Sequence, residues 1–190
     1  MSETEHINFS RILAYQTAPS MLGIKPASLI NVDENKFSVD ENVSYFNSRA
    51  SVKRLKIREL RELGGRKLLL LYNERLLEEH LKNPQIRSFL YSYDYAFTLS
   101  LDECLDKLSQ RLNYSEGFPH EIGIFLGYPI EDVEGFINNK GENYLMCGCW
   151  KVYHDESRAK KQFTNYDKCR SFLCKKLDAG VDIYKALKIS

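Results

Sequence analysis

A chain of 190 residues suits one domain and can bury most of its apolar surface. Its 43% hydrophobic and 28% charged content excludes a disordered or fibrous chain. Lys and Arg number 27 against 26 Asp and Glu, and this near balance gives no support to a nucleic-acid binder, which usually carries a strongly basic domain.

The opening MSETEHINFS lacks the basic start and apolar core of a signal peptide. The apolar stretch Ile122–Ile130 falls well short of the roughly 20 residues that cross a bilayer. Both features predict a cytoplasmic protein with no membrane partner. Cys104, Cys147, Cys149, Cys169 and Cys174 are odd in number and not spaced as a secreted framework, so reduced thiols are expected.

In chain order, residues 5–16 place Ile7, Phe9, Ile12, Leu13 and Tyr15 at amphipathic helical spacing, and Ala18-Pro19-Ser20 is expected to break that helix. Ala27–Val32 reads as a short buried strand. The polar segment 33–50, rich in Asp, Asn and Ser, reads as a loop insertion anchored by Phe37, Val43, Tyr45 and Phe46. Ser51–Leu63 shows Val52, Leu55, Leu60 and Leu63 near helical spacing, with Gly64-Gly65 as a stop, and predicts a basic helix. RKLLLLY (66–72) predicts a central strand covered on both faces.

Asn73 then caps a helix to Lys82, with Leu76, Leu77 and Leu81 inward, and Asn83-Pro84 opens another through Leu90. YSYDYAFT (91–98) is read as a loop. Ser100 and Glu103 form a capping box for a helix to Leu112. Phe118–Tyr153 reads as two short helices joined by a Gly-Tyr-Pro turn, followed by one buried strand, Tyr144–Tyr153. Asp155 caps a long helix to about Leu177 with Ala159, Phe163, Tyr166, Cys169 or Arg170, and Leu173 inward; Gly180 stops it and a last short helix follows. These elements predict a mixed α/β or α+β single domain, 1–190, with a small, mainly buried sheet of three or four strands packed by about eight helices.

Chemistry concentrates in the central stretch. Pro119 fits a first helical position, Glu121 its first turn, and the helix dipole would disfavour a charged His120. His120 and Glu121 are candidates for an acid/base pair; the alternative is a capped helix entry with a surface histidine. Glu131, Asp132 and Glu134 read as the acidic exposed side of the second helix. Alternation along 144–153 puts Leu145, Cys147, Cys149, Lys151 and Tyr153 on one face. Cys147, Lys151 and Tyr153 are therefore catalytic candidates, with a thiol beside an ammonium. Cys147 and Cys149 are half of a soft-metal site, or core thiols. Lys25, before Pro26 at the mouth of a strand, is a candidate for holding an anionic ligand together with Lys151, or a solvated lysine.

Three segments share a further likeness: Ala18-Pro19 through Gly23-Ile24-Lys25-Pro26-Ala27-Ser28-Leu29, the block FPHEIGIFLGYPIEDVEGFI, and Cys147-Gly148 with Trp150-Lys151-Val152-Tyr153. They resemble a bacterial family of unknown function, domain of unknown function 3793, found mostly in anaerobic Gram-positive bacteria. The resemblance covers nearly the whole chain and implies a cytoplasmic bacterial protein, with nothing about reaction. A His-Cys pair often precedes the Ala-Pro step in that family; Gln16 and Thr17 stand there, so no thiol or imidazole acts at those positions.

The first functional expectation is a small-molecule-binding protein or enzyme with a pocket near the 144–153 strand. The second is a non-catalytic protein-interaction or regulatory module, docking a protein partner through the acidic second helix or the basic helix. The third is a thiol-redox or metal-linked protein. The sequence names no cofactor.

Overall fold

The apolar run beginning at Arg66 becomes the middle strand of the structure, a computed structural model that describes residues 2–114 and 117–189. The elements run α1 (Glu3–Met21), β1 (Ala27–Asp33), α2 (Val39–Ala50), β2 (Leu55–Leu63), β3 (Arg66–Asn73), α3 (Glu74–Leu81) and α4 (Pro84–Tyr91). There follow α5 (Leu101–Tyr114), α6 (Ile122–Phe125), α7 (Ile130–Asn138), β4 (Met146–Cys147), β5 (Lys151–Val152), α8 (Glu156–Asp178) and α9 (Ile183–Ala186).

The main sheet is antiparallel with order β1-β3-β2. On one face Leu69 and Leu71 join Ile30, Val32, Leu55 and Ile57 in a core closed by α1, α2, α8 and α9. On the other, Leu70, Tyr72 and Leu60 pack with α3 to α7. β3 is apolar at consecutive positions because both faces are covered. The class is mixed α/β: nine helices among the described residues, one three-stranded sheet and one two-stranded hairpin.

Where local signals suffice, elements form as the spacing predicts. Asn73 Oδ1 accepts from Leu76 N–H at 3.1 Å, and Asp155 Oδ1 from Arg158 N–H at 2.9 Å. Ser100 and Glu103 cap each other reciprocally. Residues 92–100 are turns and loop.

Three segments before Arg66 differ from the sequence reading. Ser51–Leu63 is a 3-10 turn (Ser51–Lys53) followed by β2, not a helix, and the supposed apolar stripe leaves Val52 and Leu63 in solvent. Gly64 (φ 60°) and Gly65 (φ 72°) supply the left-handed turn that folds β2 back on β3. Register slips between Glu59 and Arg61, and this bulge hides the two-residue alternation. Leu60 faces the second core, and its carbonyl accepts from Ser109 Oγ (2.6 Å) and Asn113 Nδ2 (3.0 Å) of α5. Two basic residues of this segment are answered by carboxylates. Lys56 pairs with Glu74 at 2.6 Å, and Arg58 with Asp102 and Asp106. Neighbouring Lys67 is surrounded by Asp40 (2.7 Å), Glu59 (3.0 Å) and Glu34 (3.5 Å).

The expected loop 33–50 contains α2, with Val39, Asn42, Phe46 and Ala50 buried at helical spacing. Its start is capped from afar: the Glu5 carboxylate accepts from Ser38 N–H and from Asn42 Nδ2. Pro19 does not break α1, which continues to Met21. A proline there frees the Tyr15 carbonyl, and Arg170 Nε of α8 donates to it at 2.9 Å. The carbonyl of Pro19 in turn accepts from Ile24 and Lys25 N–H, which turns the chain toward β1.

Candidate functional site

The α6–α7 corner is fixed by glycines with no room for a side chain. A Cβ on Gly123 would lie 2.9 Å from Val133 Cγ2 of α7, and one on Gly127 only 2.5 Å from the Pro26 ring. Gly127 also sits at φ 72°, which L side chains adopt at a cost of roughly 1–2 kcal/mol. Gly127→Ala is therefore expected to lower stability by about 2 kcal/mol, strain and overpacking together. Urea unfolding measures this, and an unchanged midpoint would show that the corner relaxes freely.

Opposite this corner stands the hairpin. Residues 144–153 are not one strand: β4 and β5 pair Met146 with Val152 and Cys147 with Lys151, around the turn Gly148-Cys149-Trp150. Gly148 leaves the space that the Phe163 ring of α8 fills, and Gly135 of α7 does the same for Tyr153. The hairpin is held by Asp132, which is buried rather than part of an acidic exposed face; only Glu131 and Glu134 are exposed. Asp132 Oδ2 accepts from Trp150 Nε1 at 2.7 Å, and Oδ1 from the N–H groups of Tyr153 (2.7 Å) and His154 (3.0 Å). Trp150 stacks on Tyr128 at 4.8 Å and meets Phe163 edge-on at 4.5 Å.

Between corner and hairpin lies a cleft of about 480 Å³. Leu29 of β1, Ile122, Leu126 and Val133 give it aliphatic walls; Phe118, Tyr128, Phe136 and Trp150 give aromatic ones. His120, Cys147, Cys149 and Lys151 are among its polar lining. Four residues singled out in the sequence thus meet in one place. Lys151 Nζ donates to Gly141 O at 2.6 Å and lies over the Tyr144 ring at 4.8 Å. His120 is exposed and packs against Phe136 at 5.0 Å.

Other candidates go elsewhere. Pro119, His120 and Glu121 form a turn whose carbonyls accept from the N–H groups of Ile122, Gly123 and Ile124, and the helix begins only at Ile122. Glu121 is buried, ion-paired with Arg111 Nε and 3.4 Å from Tyr95 OH. It does not share a site with His120. Tyr153 turns its half-buried ring onto Gly135 and lies outside the cleft lining. Among the described residues no group of three or more His, Cys, Asp and Glu could hold a metal ion, so Cys147 and Cys149 have no further ligand there.

Lys25, expected either to hold an anionic ligand or to be solvated, is not solvated. It is 8% exposed, with its ammonium over the rings of Tyr128 (5.2 Å) and Tyr166 (5.8 Å). Burial pulls its pKa down to about 8, partly opposed by neighbouring Cys149. Burial pushes the Cys149 thiol up, with Lys25 pulling it back, so the pair rests as thiol and ammonium near neutrality. Burial likewise raises Tyr128 and Tyr166 to about 12. No local pattern marks Lys25, because Tyr128 and Tyr166 arrive from two distant parts of the chain.

These features define a mixed α/β protein with an aromatic cleft at one side of its sheet. The chain matches the family described as "Protein of unknown function (DUF3793)" over residues 13–187 and belongs to that family. The match includes both the Lys25 turn and the Trp150 hairpin. No curated protein and no solved structure matches the chain. No helix among the described residues is long and apolar enough to cross a membrane.

Proposed function

We propose that this protein binds a small organic molecule in the cleft between α6, α7 and the β4–β5 hairpin. The observation that carries this reading is the lining: about 480 Å³ bounded largely by aliphatic and aromatic side chains, with a few polar groups converging on it. Small-molecule sites commonly have about 300–1,000 Å³ and this composition. Binding is favoured over catalysis, since Glu121 pairs with Arg111 rather than with His120 and burial raises the Cys149 thiol. Five free thiols support a reducing compartment such as the cytoplasm. The interaction-module reading has less support, because carboxylates answer Lys56 and Arg58 of β2.

The test uses the indole N–H resonance of Trp150, the one tryptophan in the chain. Titration with the neutral bicyclic probe 2-naphthamide is expected to shift that resonance and saturate. Leu29→Phe, which enlarges a half-buried wall residue, is expected to weaken binding about tenfold, or about 1.4 kcal/mol. A probe that never saturates, or that binds the variant equally well, would remove the cleft as a binding site.

A further inference from the structure

We infer that the molecule taken by this cleft is a compound with an apolar, aromatic body and one carboxylate, whose charge is held by Lys151. The inference rests on the reading of the cleft as a small-molecule site and specifies the chemistry of its occupant.

The charges around the cleft are unbalanced. Asp132 is the acidic side chain in the lining among the described residues, and its two oxygens already accept three hydrogen bonds, from Trp150, Tyr153 and His154. It offers little to a cationic ligand. Lys151 spends one proton on the Gly141 carbonyl and has no carboxylate partner among the described residues. Two ammonium protons remain at the rim, where Phe136 and Tyr144 hold the side chain in place. Behind the Tyr128 wall, Lys25 adds a second cation with no carboxylate partner among the described residues.

Two cations against one carboxylate leave the surroundings of the cleft net positive among the described residues, and the apolar walls screen that potential less than bulk water does. An anion is the complement. A carboxylate fits better than a phosphate, because one lysine and no arginine lines the cleft among the described residues. Phe118, Phe136, Tyr128 and Trp150 account for the flat apolar remainder.

The test compares 2-naphthoate with 2-naphthamide, which have the same shape and differ in charge, again by the Trp150 indole resonance. The naphthoate is expected to bind at least about tenfold more tightly. Lys151→Gln is expected to remove the preference, so that naphthoate and amide bind that variant alike, while Lys151→Arg keeps most of the preference. Equal binding of the two probes to the wild-type protein, or a preference that survives Lys151→Gln, overturns the charge assignment and leaves the cleft reading standing. Failure of both probes to bind overturns the cleft reading, and this inference with it.

Discussion

Replacing Asp132 by alanine is expected to lower the unfolding free energy by about 4 kcal/mol, the largest effect of any single change at this site. The carboxylate is buried and accepts from three donors on the hairpin, one side-chain and two backbone N–H groups. Hydrogen bonds to a charged group contribute about 1.5–3 kcal/mol each, and a buried donor left without a partner costs about 1–3 kcal/mol. Water entering the space would satisfy part of this, which brings the sum down to about 4 kcal/mol. Asp132→Asn keeps one acceptor but turns an amide N–H₂ toward a donor, so a loss of about 2 kcal/mol is expected. Urea unfolding followed by Trp150 emission reads both variants, since the reporter is one of the donors released. Freed from Asp132, the hairpin would leave the cleft open on one side, so Asp132→Ala should also lose 2-naphthamide binding. A cost below about 1 kcal/mol would mean that the aromatic packing of Trp150, not this carboxylate, anchors the hairpin.

Lys25 is expected to behave in the opposite sense: its replacement by methionine stabilises the protein near neutral pH. The folded-state pKa is about 8 against an ordinary 10.5. A gap of this size corresponds to a burial penalty of about 3 kcal/mol. Methionine forgoes the cation–π contacts, worth about 1 kcal/mol, so a net gain of about 2 kcal/mol is expected at pH 7. The pH dependence follows from which state holds the proton. Below about pH 8 both folded and unfolded chains carry a protonated Lys25, and the penalty is fully present. Between about 8 and 10.5 the unfolded chain binds the proton and the folded one does not, so this residue makes stability rise with pH. Above that window the penalty is gone. The difference in stability between Lys25→Met and wild type should therefore shrink steadily from pH 8 to 10, as measured by unfolding at each pH. A constant difference would show that the ammonium is solvated.

A lysine that weakens its own fold is informative about the site. Lys25 costs stability at neutral pH, and it sits behind Tyr128 and beside Cys149, both of which line the cleft. Perturbed titratable groups concentrate where a ligand is bound. The proposed anionic ligand would return part of this cost on binding.

How much of this could be read beforehand depends on where each residue finds its partners. Asn73, Asn83, Asp155 and the Ser100–Glu103 box cap helices with atoms two or three positions away, so their signals are local. The consecutive leucines of β3 need only the rule that a strand covered on both faces is apolar throughout. α2 was illegible as a helix because its cap comes from Glu5, 33 residues from Ser38. Pro19 looked like a break because the group that satisfies Tyr15 O, Arg170, lies 155 residues away. In β2 the bulge at Glu59–Arg61 shifted the alternation, leaving a leucine spacing that imitates a helix.

Fold class, the central strand, four helix caps and the concentration of unusual residues between Phe118 and Tyr153 were legible in the residues alone, because propensity, capping and apolar runs act over a few residues. Tertiary structure alone decided that Glu121 would leave His120 for Arg111, that Asp132 would turn inward to hold a hairpin, and that Lys25 would be buried beside Cys149. Each of these depends on burial and on a partner from a distant segment. A carboxylate or an ammonium has the same local pattern in solvent as in a core, and only packing settles which it meets.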